Sequence, residues 1–217
     1  MFRRVIGGTV ITGAAYYAAY AGILPWKHRP EASADDRMSP LPGDALVHSP
    51  TYTETSAIVI NAPPSEIWPW LVQMGYGRAG LYAYDRLDRP TAERILPQFQ
   101  NLAVGATLPT HPEGGFRVVA VEHERALILY ADSAVAREQA GWPLGRHVPE
   151  FMVSWAFLLE PLPDHRTRLI ARYRASVPRA TKGNRLLRPL TGLGIFRLQQ
   201  RQLLGIKARA EHAGRAH

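Results

Sequence analysis

Ala62-Pro63-Pro64-Ser65-Glu66-Ile67-Trp68-Pro69-Trp70-Leu71-Val72-Gln73-Met74-Gly75 is the stretch on which the reading of this chain turns. Two consecutive prolines end a strand, and Ser65 is a residue type that caps the amides of a following helical turn. Ile67, Trp70, Leu71 and Met74 then recur at helical spacing, and Gly75 is a stop signal. Just upstream, Thr55 to Asn61 is a nearly continuous apolar run in which Ile58 and Ile60 alternate with Ala57 and Val59, which predicts a strand running into the helix.

Further along, a second short helix is expected near Leu81 to Leu87, and Pro90 to Asn101 reads as an irregular connection with one helical turn. The pattern then turns to strands at Ala106 to Leu108, Phe116 to Glu122, Ala126 to Ala131, Met152 to Glu160 and Arg168 to Ser176. Turn-rich pieces such as Pro112-Glu113-Gly114-Gly115 and Pro161-Leu162-Pro163-Asp164 separate them, and an insertion runs from Asp132 to Pro149. Leu193, Phe196, Leu203, Ile206 and Ala210 recur at roughly helical spacing among Arg, Lys and Gln, which predicts a long amphipathic C-terminal helix. One strand, two short helices, about five antiparallel strands and a terminal helix make an α+β chain in which a curved sheet grips a helix. Neither an internal repeat nor a nucleotide-binding glycine loop is present.

Upstream, Val5 to Leu24 runs twenty residues without a formal charge, long enough as a helix to span about 30 Å. Two readings stand: a membrane anchor, or a secretory signal with Arg3 and Arg4 as its basic region and Ala19-Tyr20-Ala21 as its cleavage site. Pro25 to Pro50 is dense in Pro, Ser, Asp and Gly and reads as an extended linker. The expected division is residues 1–26 as hydrophobic segment, 27–52 as linker and 53–217 as one folded domain.

The chain has 217 residues, 46% of them hydrophobic, enough for one well-buried core and too few for two ordinary domains behind the N-terminal segment. Cysteine is absent, which excludes disulfides, thiolate nucleophiles and Cys-ligated metals. The net charge of +8 looks like a nucleic-acid signal until it is divided along the chain: residues 161–217 carry 13 basic and 2 acidic side chains, whereas residues 55–160 carry 8 and 11. The excess is a basic C-terminal face, either a solvated surface or one drawn to anionic headgroups, rather than a nucleic-acid channel.

The opening stretch, together with Arg78-Ala79-Gly80-Leu81-Tyr82-Ala83-Tyr84-Asp85, resembles proteins of the SRPBCC (START-like) superfamily. Leu41-Pro42-Gly43-Asp44, Val104-Gly105, Ser154-Trp155-Ala156-Phe157 and Leu204-Gly205-Ile206-Lys207-Ala208-Arg209-Ala210-Glu211 extend the resemblance over roughly Leu41 to Glu211. It implies a helix-grip fold with a pocket between sheet and C-terminal helix, in a superfamily that includes lipid carriers, hormone receptors and polyketide cyclases. It implies no single activity and carries over no catalytic set.

The candidate chemistry is therefore read from the residues. Arg78, Tyr82, Tyr84 and Asp85 lie in one glycine-flanked stretch, where a guanidinium, two phenols and a carboxylate can converge at one end of a cavity. The competing reading is a structural Arg78–Asp85 ion pair with the tyrosines packed beneath. Trp68, Trp70, Tyr76, Trp142, Trp155 and Phe196 offer flat apolar surfaces that suit either a ligand or a core. The ligand-contacting set expected is Trp70, Met74, Tyr82, Tyr84, Trp155, Phe157, Phe196 and Gln200, with Arg78, Tyr84 and Asp85 as catalytic candidates. The eight histidines show no metal-ligand spacing, and G-x-S-x-G, P-loop and dinucleotide motifs are absent, so no metal or cofactor is expected. His147, beside Arg146 and Glu150, is the remaining acid/base candidate. Three functions follow: a membrane-associated module binding a small hydrophobic ligand, a cofactor-free cyclase or dehydratase, or a partner-binding protein with a filled interior.

Overall fold

The computed structural model describes residues 32–83, 91–112, 114–138, 150–177 and 188–213, with backbone only at 188–193 and 213. Val5 to Leu24 lies outside the described residues. No helix among those described is long and apolar enough to cross a membrane.

Six strands form one open antiparallel sheet: β1 Tyr52–Ile60, β2 Thr107–His111, β3 Gly114–Glu122, β4 Ala126–Asp132, β5 Met152–Leu162 and β6 Arg166–Ser176. Their order is β1-β6-β5-β4-β3-β2, so the first and last strands pair at one edge. β2 is the other edge, where Pro109 interrupts the register without breaking a central ladder. Register shifts also at Val118/Ala120, and such bulges bend a sheet.

Four helices are described: α1 Ala34–Met38, α2 Pro64–Val72, α3 Ser133–Glu138 and α4 Arg188–Ala213. α4 lies against β1, β6 and α2, and this is the helix-grip arrangement. Between α4, α2 and the inner sheet face lies the main core, where Ile60, Ile67, Leu71, Leu127, Phe157, Leu169, Leu203 and Ile206 are fully buried. Gly205 sits where α4 presses on the chain after α2. A Cβ there would collide with the Tyr82 carbonyl oxygen, so only glycine permits this approach.

Several local expectations are corrected. α2 is capped by Pro63 backbone, with no side-chain bond, because Pro64 at the first helical position needs no partner for an amide; Ser65 falls inside the helix. The helix ends at Val72, before Gly75. Leu81 to Ala83 are not helical, and the rest of the expected second helix lies outside the described residues. Gly114 and Gly115 belong to β3, and Pro161 and Leu162 to β5, because both hairpins turn more tightly than the proline and glycine clusters imply. The Asp132–Pro149 insertion opens with α3.

The reading of Pro25 to Pro50 as extended chain is also corrected over its described part. Ser33 and Asp36 form a capping box that starts α1, and a 3-10 turn follows at Asp44–Leu46. This strap covers the outer sheet face: Ala32 and Leu41 pack on Ala57 and Ile170, and Leu46 packs beside Ile128. Arginines on β6 hold it there. Arg168 pairs with Asp36, Arg174 with Asp44 at 3.3 Å, and Arg172 with Asp44 at 2.6 Å. Arg172, 3% exposed, also donates to Thr55 Oγ1 and to the carbonyls of Ser39 and Asp36.

Candidate functional site

Alternation along the strands decides which side chains enter the interior. On β6, Arg168, Arg172 and Arg174 face the strap, so Leu169, Ala171 and Tyr173 face α4. On β1 the same logic places Tyr52, Glu54, Ser56, Ile58 and Ile60 inward, and on β5 it places Trp155, Phe157 and Leu159 inward. Direct pairing of Glu54 with Tyr173, of Tyr173 with Trp155 and of Trp155 with Leu129 makes one row across four strands. Ser56, Ala171, Phe157 and Leu127 make the next.

The first row is aromatic in its middle. Trp155 lies 5.0 Å from Phe157, 5.7 Å from Phe116 and 6.3 Å from Tyr173 by ring centroids, and Tyr173 meets Tyr52 edge-on at 6.4 Å. Burial pushes the Tyr173 phenol up to about 12, yet the side chain keeps accessible surface. The phenol is thus largely removed from water without being fully packed over. At the edge of the row, Glu54 accepts a long hydrogen bond from Ser56 Oγ, 3.4 Å, and desolvation raises its carboxyl above the usual range.

Some buried polar groups here lack partners, as do the Trp70 indole N–H and the Gln202 oxygen between α2 and α4. The indole N–H of Trp155 is buried and unpaired, as is the Gln199 amide oxygen. Gln199 Nε2 donates to the Ala171 carbonyl at 3.0 Å, which orients the amide and leaves Oε1 as a free acceptor. Gln200 Oε1 is buried and unpaired on the same helix. Each such group costs about 1–3 kcal/mol when nothing satisfies it. The inward face of α4 thus changes character along its length: Leu203, Ile206 and Ala210 are sealed into the core, whereas Gln199 and Gln200 are buried polar and Phe196 is partly accessible.

Trp155 and Phe157 therefore stand on the inner face, with Phe196 and Gln200 on the helix above it. Trp70, Met74 and Tyr82 belong to a different neighbourhood, the packing between α2 and the C-terminal half of α4. The Tyr82 hydroxyl donates to the Trp70 carbonyl at 3.1 Å and accepts from Gln73 Nε2, and Gln202 reaches the Met74 sulfur. Arg78 donates to the carbonyls of Val72 and Phe99 and lies 4.7 Å over the Phe99 ring, so its guanidinium closes the end of α2. Tyr84, Asp85, Trp142, Arg146 and His147 lie outside the described residues. Glu150 pairs on the surface with Arg137 at 2.8 Å and with Ser133. Among the described residues no cluster of His, Asp or Glu is able to hold a metal ion.

Glu54 and Tyr173, central to this geometry, were absent from the residues picked out by sequence. Alternation from Ile60 back to Glu54 was the available signal, but the strand is read there as starting at Thr55, three residues after its true start at Tyr52.

The solvated basic face is also smaller than composition implies. Lys207 donates to the Val59 carbonyl and pairs with Glu211, and Arg209 donates to the Ala92 carbonyl and lies over the Tyr82 ring.

No protein-family model matches this sequence, and no curated protein matches it. Among solved structures, a hypothetical protein from Helicobacter pylori is similar at 13% identity over 79% of this chain and 95% of its own, with a TM-score of 0.47. A protein from Mesorhizobium loti is similar at 21% identity over 69% and 98%, TM-score 0.36. The Zhui aromatase/cyclase of a Streptomyces species is similar at 10% identity over 76% and 96%, TM-score 0.38.

Proposed function

We propose, on the premise of a helix-grip-like fold, that this protein binds a small, mainly apolar ligand between the N-terminal half of α4 and the inner face of β1, β6 and β5. One observation carries the reading: the N–H of Trp155, which pairs across strands with Tyr173, and the Gln199 amide oxygen are buried and unpaired, while Tyr173 keeps some accessible surface. An apolar ligand gains roughly 25 cal/mol per Å² buried against Phe116, Trp155, Phe157 and Tyr173, and its few polar atoms satisfy groups otherwise left without partners. Native mass spectrometry of the purified protein, followed by denaturation and extraction, tests this. A released apolar molecule supports the proposal. An unliganded protein that also binds no apolar fluorescent probe overturns it.

A cyclase- or dehydratase-type activity is the second reading, favoured by Glu54, an inward carboxyl that prefers its proton more than usual and so is suited to proton transfer. Its mark is turnover lost in Glu54→Gln while ligand binding persists. We also propose that Val5 to Leu24 tethers the domain to a membrane, on the strength of its twenty uncharged residues. The full chain should then sediment with membranes after a carbonate wash, and a chain lacking residues 1–26 should not.

A further inference from the structure

Two polar groups at opposite ends of the inner row have complementary needs. Glu54 lies directly across from Tyr173, and Tyr173 directly across from Trp155. With strands about 4.8 Å apart, the backbone positions of Glu54 and Trp155 are separated by roughly 10 Å. One end offers a carboxyl, an acceptor, and the other an indole N–H, a donor. The flat faces of Tyr173, Phe116 and Phe157 fill the space around them.

Trp155 has no acceptor in the protein, and Glu54, reached by the hydroxyls of Ser56 and Tyr52, keeps lone pairs for a further donor. Glu54 accepts a long hydrogen bond from Ser56 and a second from the Tyr52 hydroxyl, and among the described residues no cation pairs with it. The groups facing it are the phenols of Tyr52 and Tyr173; Arg37 acts only from a distance. A carboxylate removed from water without a cation is costly unless donors reach it, and desolvation has accordingly raised its pKa. The Trp155 N–H is buried with no acceptor at all.

We infer that the ligand is a rigid apolar molecule with a hydrogen-bond donor, a hydroxyl or an amine, at the end that meets Glu54 and an acceptor, a carbonyl or ether oxygen, at the end that meets Trp155. The inference rests on the ligand-binding reading above and adds the polarity and direction of what is bound. A ligand apolar throughout leaves the Trp155 N–H without an acceptor and takes water from Glu54 without supplying the further donor its carboxyl can accept.

Four matched probes test it: naphthalene, 2-naphthol, 2-acetylnaphthalene and 6-acetyl-2-naphthol, titrated into the full chain with affinity read by calorimetry. Each added hydrogen bond is expected to tighten binding by about tenfold, so 6-acetyl-2-naphthol should bind most tightly and naphthalene most weakly. Glu54→Leu should erase the gain from the hydroxyl and keep that from the acetyl group. Trp155→Phe should do the reverse, each gain being measured against naphthalene bound to the same variant. Equal affinity for all four probes overturns the inference and leaves the ligand-binding reading standing. Binding of none overturns both. The wild-type series decides by itself, so a variant that fails to fold does not shield the inference.

Discussion

Glu54 illustrates how one residue can be set against the stability of its own fold. Desolvation raises its carboxyl pKa, so the folded protein holds that proton more tightly than the unfolded chain does. The ionised form therefore costs stability, an effect complete above the folded pKa and absent below the unfolded value of 4.5. Glu54→Gln should unfold at a higher urea midpoint than the wild type at about pH 8, with the difference closing as the pH falls toward 4.5. Equal midpoints across that range would show that the carboxyl is not held out of water. Gly205 makes the opposite case, a residue at which helix propensity points the wrong way. Alanine normally stabilises a helix interior by about 1 kcal/mol over glycine. Here Gly205→Ala should destabilise instead, by about 1–3 kcal/mol in chemical denaturation, because the added methyl meets the Tyr82 backbone.

At the scale of elements, the strap and β6 depend on each other. Arg172 supplies donors to Asp44, Thr55 and two strap carbonyls from a position buried in the outer face. Arg172→Met removes that donor from all four, leaving Asp44 with Arg174 as its remaining cation, and a loss of about 3 kcal/mol is expected in equilibrium denaturation. Asp36 adds a pH signature. Burial alone would raise its carboxyl, but hydrogen bonds from Arg168 and Ser33 outweigh burial and hold it at about 2, against 3.8 when unperturbed. A depressed folded pKa stabilises the fold above pH 3.8, and that contribution, on the order of 2 kcal/mol, is lost as the pH falls through about 2. Asp36→Asn should flatten the acid limb of the stability profile in that window and lower stability at neutral pH. An unchanged acid limb would place the acid sensitivity elsewhere.

For the whole molecule, the two faces of the sheet have divided labour. The outer face is closed by charge, with β6 arginines meeting strap aspartates. The inner face is closed by apolar packing at the C-terminal half of α4 and lined with polar and aromatic side chains at the other half. Much of the basic C-terminal excess is thereby spent on holding strap, strand edge and helix together. Arg168, Arg172, Arg174, Lys207 and Arg209 all have internal partners.

Period and punctuation alone determined the element order. Apolar runs and turn signals gave all six strands to within three residues at each end, and the 3.6-residue spacing of Leu203, Ile206 and Ala210 gave the terminal helix, because these patterns follow from local backbone geometry. Whether a Pro- and Asp-rich stretch lies extended or docks was a different kind of question. Ser33 and Asp36 carry a capping signal, but α1 is held in place by Arg168 and Arg172 more than 130 residues away. Nor did the sequence separate Trp70 and Tyr82, locked between α2 and α4, from Trp155 and Tyr173 on the inner sheet face, since all four are large aromatics with a polar edge. Only tertiary structure brought Glu54, Tyr173 and Trp155 into one row, because strand pairing joins positions that no local spacing relates and decides which polar groups go without partners.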